Sequence, residues 1–434
     1  MKLKTDIVIV GSGAGGATLA KELAGHGKRV LVLERGRNPK PQDIGTLRSA
    51  VLDFYDKCAL RTSKEGLIIY RALMTGGTTV VSCGTGVRIL EEELRQLGVD
   101  LTEEFDDTEK ELRISRLPDR LIGKGSKLIV NSANRLGLEM EPMLKFINPD
   151  RCNSCGQCVL GCRTGAKWSA IDFVKKARAR GAKLINRMDV RSVVIRNDKV
   201  VGLVAKGPKG NVRVFARVVI LAAGGIGSPV ILKRSGFDRA GRKLFADIFN
   251  VTYGILKDKN VNLWREPAMA VVSMKFMKEK GFLISPFIDV PLVLRWVMSK
   301  RKQAKGFKYA DLLGIMAKTK DDDVGRVTKD ERFEKSPTSN DMKRLNEGAR
   351  ISAEILRESG VKKKDIIFTK PRAAHPGGSA AIGDVVDRDL RTKVDGLYVC
   401  DASVLPESAG APPIVTIISL AKRLAKHLRE NDFR

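Results

Sequence analysis

The sequence has 434 residues, of which 43% are hydrophobic and 30% charged, so its length and composition are those of a large globular protein. Its 79 lysines and arginines against 50 aspartates and glutamates give a formal net charge of +29, which favours acidic partners such as an electron carrier or an anionic membrane surface. However, the basic residues are spread along the whole chain and only 5% of residues are aromatic, which argues for a lysine-rich composition and against a nucleic-acid-binding module.

The chain begins with a nucleotide-binding pattern. Residues 6–10, DIVIV, predict a buried parallel strand, and Gly11, Gly13 and Gly16 follow in the spacing G-x-G-x-x-G. A helical segment comes next, and a second strand, RVLVLE, ends at Glu34. The first glycine permits a tight turn, the second admits a pyrophosphate, the third lets the helix pack on the sheet, and the acid suits ribose hydroxyls. The pattern predicts a dinucleotide-binding unit without deciding between dinucleotides.

Four of the seven cysteines fall within the stretch CNSCGQCVLGC. The spacing C-x2-C-x2-C-x3-C is typical of iron–sulfur ligation and predicts a [4Fe–4S] cluster on Cys152, Cys155, Cys158 and Cys162. Because Cys162 precedes an arginine instead of a proline, Cys58 and Cys83 are alternative fourth ligands. Four thiolates also suit zinc, which we favour less. Clustered thiolates and the lack of a visible signal peptide predict a cytoplasmic protein, with membrane-surface contact left open.

The middle of the chain is less regular. Residues 281–298 are apolar but are interrupted by prolines, an aspartate and an arginine, which argues against a membrane-spanning helix and predicts a strand or short helix in a core. The alternative interpretation is a hydrophobic lid beside the basic segment that follows, resting on an anionic membrane and admitting a lipid-like substrate. Residues 318–341 are densely charged and predict a mobile surface segment.

Three further stretches carry glycine turns or polar strand ends. The first is TGGTTVVSCGTG, around Gly76 and Gly77, and the second is VVILAAGGIGSP, a buried strand that runs into a turn. The third begins with HPGGSAAIG at His375, continues through a strand that ends at Asp401 and closes with a helix that begins near Thr416. The chain's other two histidines lie at predicted helix ends, where solvent exposure is expected.

Together with the N-terminal fingerprint, these stretches resemble the glucose–methanol–choline (GMC) oxidoreductase family. The resemblance implies FAD as the cofactor, an alcohol as the substrate and His375 as the base that removes the hydroxyl proton. It implies a discontinuous Rossmann-type FAD-binding domain with an inserted α+β substrate domain, an α/β fold. The implied cofactor-binding residues are Gly11, Gly13, Gly16, Glu34, Gly76, Gly77, Thr78, Ala223, Gly224, Asp401 and Thr416.

The sequence departs from the family pattern at one position. Family members usually carry a histidine or an asparagine in the run that reads GAPPIVTI here, and Pro412 occupies its place. Proline has neither a side-chain donor nor a backbone N–H. A polar contact to the reacting oxygen is therefore missing, which favours a different substrate geometry or a reductive reaction.

The cysteine run also has a parallel within the family. Some members that oxidise long-chain alcohols carry a similar run ending in GCxxGAKxS, where it forms part of the fold near the flavin. A structural loop is therefore the alternative to a cluster. A cluster would pass single electrons between the flavin and a ferredoxin-like carrier, which predicts a dehydrogenase or reductase instead of an oxidase.

The leading hypothesis is therefore an FAD enzyme that transfers hydride from a hydrophobic alcohol to flavin. The alternatives are a ferredoxin-fed flavin and iron–sulfur reductase acting on an unsaturated or carbonyl substrate, and an electron-transfer subunit. We expect an FAD-binding domain over 1–250 that includes a cysteine-rich loop at 151–168. A substrate domain is expected over 251–365, and a C-terminal return to the FAD-binding domain with the catalytic histidine over 366–434.

Overall fold

The computed structural model describes residues 1–56, 67–257, 259–298 and 309–431. Within these ranges the helices are α1 Ala14–Leu23, α2 Leu47–Ser49, α3 Glu91–Gln96, α4 Thr102–Leu112, α5 Lys124–Arg135, α6 Ala170–Ala179, α7 Gly224–Arg234, α8 Lys275–Lys280, α9 Pro291–Val297, α10 Ser339–Glu358 and α11 Ile414–Asn431. The strands are β1 Lys2–Lys4, β2 Ile7–Val10, β3 Val30–Glu34, β4 Ile69–Tyr70, β5 Ser115–Arg116, β6 Glu141–Pro142, β7 Leu144–Lys145, β8 Lys183–Asn186, β9 Asp189–Arg196, β10 Lys199–Gly207, β11 Gly210–Phe215, β12 Val218–Leu221, β13 Ile248–Ile255, β14 Val271–Val272, β15 Phe282–Pro286, β16 Leu312–Thr319, β17 Arg326–Val327, β18 Phe333–Glu334, β19 Ile366–Phe368, β20 Arg372–Ala374 and β21 Leu397–Val399.

A five-stranded sheet in the order β21-β12-β2-β3-β8 carries the nucleotide-binding pattern. All four strand pairings are parallel, and β2, β3 and β12 are buried along their whole length. Burial on both faces explains why these strands are continuous apolar runs instead of alternating ones. Because the strands are parallel, their carboxyl ends meet at one edge, and that edge is where such sheets bind ligands.

The glycine turn after β2 lies against the neighbouring strand of this sheet. Gly11 has φ +101°, and a Cβ atom there would lie 2.2 Å from the carbonyl oxygen of Ala222. A Cβ at Gly16 would lie 2.0 Å from the carbonyl oxygen of Gly11. Only glycine lets the turn and the start of α1 approach the sheet this closely.

A second, six-stranded sheet has the order β15-β16-β13-β20-β4, with β19 also paired to β13. Its central strand β13 is buried throughout and packs with β16 against α10. In this sheet Phe249 lies opposite Lys318 on one side and Arg372 on the other. Residues 69–70, 248–319 and 366–374 all contribute, so the chain enters the sheet three times. One continuous hydrophobic cluster joins the two large sheets, including Val219 of the first and Val251 of the second.

The α/β fold class predicted from the sequence is confirmed. The nucleotide-binding sheet is discontinuous, because it combines strands from residues 7–34, 183–221 and 397–399. Between 281 and 298 the chain forms β15 and then α9, a strand and a short helix as expected. The basic segment at 299–308 lies outside the described residues. Among the residues that are described, none of the helices is long and apolar enough to cross a membrane.

The prediction of a mobile surface segment at 318–341 was wrong. Asp321 and Lys335 form an ion pair at 2.7 Å with both side chains fully buried. Asp321 also accepts hydrogen bonds from the backbone N–H groups of Ala246 and Asp247. Charge density in the sequence does not show that such charges satisfy one another inside the protein, and here they anchor the segment to β13.

Candidate active site

A cavity of about 730 Å³ is lined by residues of both large sheets. One part is formed by the carboxyl ends of β2, β3 and β12, and the other by β13, β16 and the segment after β20. Most of the cofactor-binding residues predicted from the sequence line it, as does the predicted base: Gly11, Gly13, Glu34, Gly77, Thr78, Ala223, Gly224, His375 and Asp401. The fold therefore brings residues that are up to 390 positions apart to one space.

The glycine turn presents a helix N-terminus to this cavity. Gly13 is the N-cap of α1, no side chain caps the helix there, and a Cβ at Gly13 would meet no atom within 4 Å. Beside it, Glu34 accepts hydrogen bonds from the Ser12 N–H at 3.0 Å and the Ser12 hydroxyl at 2.6 Å. Burial raises the pKa of Glu34, although these hydrogen bonds oppose the shift. The arrangement offers N–H donors for an anion next to a fixed acidic group.

Asp401 holds the second glycine turn in place. Its Oδ2 accepts hydrogen bonds from the Gly224 N–H at 2.8 Å and from the Ser228 hydroxyl at 2.5 Å. Its Oδ1 accepts from the Ser403 N–H at 2.8 Å. Burial raises the pKa of Asp401, against the effect of these donors. The carboxyl group thus links the ends of β12 and β21 beside the cavity.

Three of the predicted cofactor-binding residues pack behind the cavity wall. Gly16 supports the glycine turn, and Gly76 donates its N–H to the Ser12 hydroxyl at 3.1 Å. Thr416 lies in the first turn of α11 and donates its hydroxyl to the carbonyl of Ile89 at 2.9 Å. These three residues support the residues that line the cavity and do not line it themselves. Ile414, the first residue of α11, does line it.

His375 lines the cavity from the segment after β20. It has φ +62°, and its Nδ1 is 2.8 Å from Oδ2 of Asp247. The other oxygen of Asp247 accepts from the Ser408 hydroxyl at 2.7 Å and the Gly410 N–H at 3.1 Å. With Nδ1 bonded to a carboxylate oxygen, a neutral imidazole carries its proton on Nδ1 and presents an unprotonated Nε2.

The surroundings of His375 favour its neutral form by lowering its pKa. Burial lowers its pKa, the nearby Lys318 charge lowers it further, and Asp247 opposes both effects. The side chain retains 21% exposure, and the residue lines the cavity together with Pro412 and Pro413. A neutral imidazole that faces a cavity and is oriented by a buried carboxylate has the properties of a general base.

Sequence reasoning missed several polar residues that line this cavity. Glu331, from the charged segment, pairs with Arg35 after β3 and with Arg71 after β4. Farther along, Asp289 accepts from the hydroxyl of Tyr253 at 2.7 Å and from Nη1 of Arg372 at 2.8 Å. Lys318, which lines the cavity, and Asp247, which is hydrogen-bonded to His375, were also missed. A lysine within the otherwise apolar strand LLGIMAKT was the one available signal.

The predicted [4Fe–4S] site is not assembled among the described residues, where no group of three or more His, Cys, Asp or Glu side chains could hold a metal ion. Cys155 is exposed and the other three cysteines of the run are half-buried. The alternative ligand Cys83 lines the cavity, and Cys58 lies outside the described residues.

The cysteine run is tied to the cavity wall by a buried lysine. Lys167 donates to the carbonyl oxygens of Ser82 at 2.6 Å, Val80 at 2.8 Å and Cys158 at 3.2 Å. Next to it, the Cys162 thiol accepts from the Lys167 backbone N–H at 3.4 Å. The cysteine run is followed by the sequence Gly-Ala-Lys at residues 165–167. These contacts give its lysine a structural role.

The chain matches two family models, both of GMC oxidoreductases, at residues 5–248 and 321–421. An uncharacterized protein of Methanocaldococcus jannaschii is 33% identical over 98% of this chain and 99% of its own length. A long-chain-alcohol oxidase of Arabidopsis thaliana is 24% identical over 97% of this chain and 66% of its own length. Among solved structures, pyridoxine 4-oxidase from Mesorbium loti covers 98% of this chain and 99% of its own, with 18% identity and a TM-score of 0.73. Formate oxidase of Aspergillus oryzae RIB40 covers 100% of this chain and 99% of its own, with 17% identity and a TM-score of 0.76.

Proposed function

We propose, from the premise that the chain belongs to the GMC oxidoreductase family, that it oxidises a hydrophobic alcohol with FAD as the hydride acceptor and His375 as the base. As a member of that family the chain is an FAD-dependent oxidoreductase that acts on CH–OH groups. The observation that carries the proposal is the single cavity in which the glycine turn of α1 and the imidazole of His375 share a wall.

The residues around the nucleotide end fit FAD. The uncapped N-terminus of α1 suits a pyrophosphate, and the open space at Gly13 admits it close to the backbone. Glu34, at the carboxyl end of β3, suits the hydroxyls of a ribose. Gly224 and Asp401 border the space between this end and His375. When bound there, FAD supplies a two-electron acceptor for a hydride.

Residues of this chain accept the proton of the alcohol's hydroxyl group. Nε2 of His375 takes the hydroxyl proton, and Asp247 holds the ring and stabilises the imidazolium that forms. Phe249, Phe287 and Met316 line the same cavity, which supports a substrate that is apolar apart from its hydroxyl group. An apolar lining also disfavours water beside the reacting atoms.

For the cysteine run we propose a structural loop. The contacts of Lys167 to the carbonyls of Val80, Ser82 and Cys158 support this assignment. The proposal includes neither a ferredoxin-like carrier nor a membrane surface, because nothing among the described residues identifies a surface for either. Protein purified without oxygen is expected to contain flavin but no stoichiometric iron or acid-labile sulfide. Iron and sulfide in cluster amounts would contradict the structural loop and restore the predicted [4Fe–4S] cluster.

The main test is reduction of the bound flavin by alcohols without oxygen. Long straight-chain alcohols are expected to bleach the oxidised flavin faster than short ones, because the longer chain buries more apolar surface. The His375→Asn variant is expected to be slower by about 10²–10⁴-fold, the usual contribution of a general base. His26→Asn is the matched control, since His26 is exposed. Failure of every alcohol to reduce the flavin, or an unchanged rate in His375→Asn, would refute the proposal.

A further inference from the structure

The proposed reaction uses His375 to accept the hydroxyl proton, and it also calls for a hydrogen-bond donor to the substrate oxygen. Pro412 occupies the position where the family carries a polar side chain, and it lines the cavity with His375. Neither its ring nor its backbone nitrogen can donate a hydrogen bond. During oxidation of an alcohol, negative charge develops on the oxygen as its proton is removed, and that charge is lost again as the hydride leaves and the carbonyl forms. A donor from elsewhere in the fold is therefore required.

Lys318 lies where such a donor is needed. It is in β16, directly opposite Phe249 of β13, and both residues line the cavity. Its ammonium lies 4.7 Å from the centroid of the Phe249 ring, while the segment that carries His375 follows strand β20 on the other side of β13. The register of the second sheet therefore places a cation and the base on opposite flanks of β13, beside the same cavity.

The ammonium of Lys318 differs from the other buried ammonium groups of this protein. The residue is 3% exposed and lines the cavity, and its Nζ lies over the ring of Phe249. By contrast, Lys145 donates to the Cys83 carbonyl at 3.0 Å, Lys167 donates to the Ser82 carbonyl at 2.6 Å, and Lys335 pairs with an aspartate at 2.7 Å. An ammonium that lines a cavity and lies over an aromatic ring keeps its N–H donors available to a molecule bound there, unlike an ammonium that donates to carbonyls or a carboxylate.

We propose that Lys318 is a second catalytic residue, whose ammonium donates a hydrogen bond to the alcohol oxygen while His375 removes the hydroxyl proton. This inference rests on the proposed alcohol oxidation. The O–H bond breaks with its proton going to Nε2 of His375, and the C–H bond breaks with its electron pair leaving as hydride to the oxidised flavin. The oxygen becomes that of a carbonyl product, and Lys318 keeps its proton throughout.

The charges around the two groups are consistent with these roles. Burial lowers the pKa of Lys318, and Asp247, Cys83 and Asp321 oppose that shift. The charge of Lys318 in turn lowers the pKa of His375. The charge of Lys318 therefore favours the neutral form of the base beside it. Activity should fall at low pH as His375 becomes protonated and at high pH as Lys318 loses its proton, below the usual lysine value.

The first experiment compares Lys318→Met, Lys318→Arg and the exposed-lysine control Lys278→Met in the FAD-loaded enzyme. Lys318→Met is expected to lower kcat/KM for the alcohol by about 10²–10³-fold, as removal of one oxyanion donor does. Its high-pH limb should disappear, and its low-pH limb should move to higher pH because the charge that depresses the His375 pKa is gone. Lys318→Arg should keep the charge and shift the high-pH limb upward, since arginine does not titrate in this range.

The second experiment measures the effect of Lys318 on the pKa of His375 without turnover. The chain has only three histidines, so ¹⁵N-histidine NMR with His375→Asn for assignment can follow the His375 titration in the protein alone. Lys318→Met should raise the His375 pKa, and Lys278→Met should leave it unchanged. An unchanged titration, or a kcat/KM for Lys318→Met equal to that of the control, would overturn the inference. A wild-type enzyme that no alcohol reduces would refute the proposed function, and the histidine titration would still decide on Lys318. If Lys318→Met does not fold, an unshifted high-pH limb in Lys318→Arg would overturn it.

Discussion

The role of Lys167 in the cysteine run gives the most direct stability prediction. The residue is 4% exposed, and its ammonium has four backbone carbonyl partners, of which Thr79 is the most distant at 3.4 Å and Val80, Ser82 and Cys158 are the nearest three. In Lys167→Met the apolar stem remains and the donors are lost. A buried carbonyl left without a donor costs about 1–3 kcal/mol. Taking the lower value for each of the three carbonyls, we expect the free energy of unfolding to fall by about 3 kcal/mol.

This loss converts to a measurable shift. The entropy of unfolding is about 2.1 cal/mol/K per residue. For 434 residues it is therefore about 0.9 kcal/mol/K, which makes the expected fall in Tm about 3 °C. FAD binding should weaken as well, because the segment Gly77–Val81, which Lys167 holds through Val80, lies against the glycine turn. A Cβ at Gly77 would be 3.1 Å from the Cα of Gly13.

Thermal unfolding and flavin fluorescence, with and without added FAD, measure both effects. Lys175→Met is the matched control, because Lys175 is an exposed lysine on the neighbouring helix α6. The control should leave Tm and FAD affinity unchanged. Equal Tm and equal FAD affinity in Lys167→Met and Lys175→Met would refute the structural role of this lysine and, with it, the physical reason given for the cysteine loop.

Three further predictions concern the cavity. Gly13→Ala should weaken FAD binding by about tenfold or more, because the added methyl group enters the space meant for FAD. The methyl group contacts no protein atom, so stability should change little. Titration of the apoprotein with FAD measures the change in affinity. Asp289→Asn should lower the free energy of unfolding by about 3–5 kcal/mol, because the buried guanidinium of Arg372 loses its carboxylate, and an unchanged denaturation midpoint would contradict this. Asp247→Asn should slow flavin reduction by about 10²–10⁴-fold and move the low-pH limb of activity further down, because Asp247 raises the pKa of His375.

The nucleotide-binding half could be predicted from the sequence because its signals are local. The strand, the glycine turn and the helix that follow one another from residue 6 each depend on neighbouring residues, and β2, α1 and β3 lie where the pattern placed them. His375 and Asp401 were identified through family resemblance, since a single histidine before a proline carries no chemical signal by itself. The cysteine spacing is equally local, but a ligand set also requires that the thiols converge, and spacing does not determine that.

The residues around the reacting centre could not be predicted because their contacts are distant in sequence. Asp247 and His375 are 128 positions apart, and Asp321 accepts from the Asp247 N–H across 74 positions. These three residues lie within two residues of the ends of β13, β20 and β16, so the pairing of those strands brings them together. Lys318 illustrates the same limit. In the sequence it is one of 79 basic residues, and its place in an apolar run does not show that it lies opposite Phe249 beside the cavity.

The two sheets therefore contribute separately to the chemistry. The parallel sheet supplies a binding site for a dinucleotide, and its turn and acid residues would serve many reactions equally well. The second sheet supplies the base through Asp247 and His375, and it supplies the cation through Lys318. A substitution in the second sheet should accordingly change the pH profile and the alcohol preference while FAD content stays constant. A substitution at Gly13 should change FAD content first. Measuring flavin content and the pH profile on the same variants separates the two contributions.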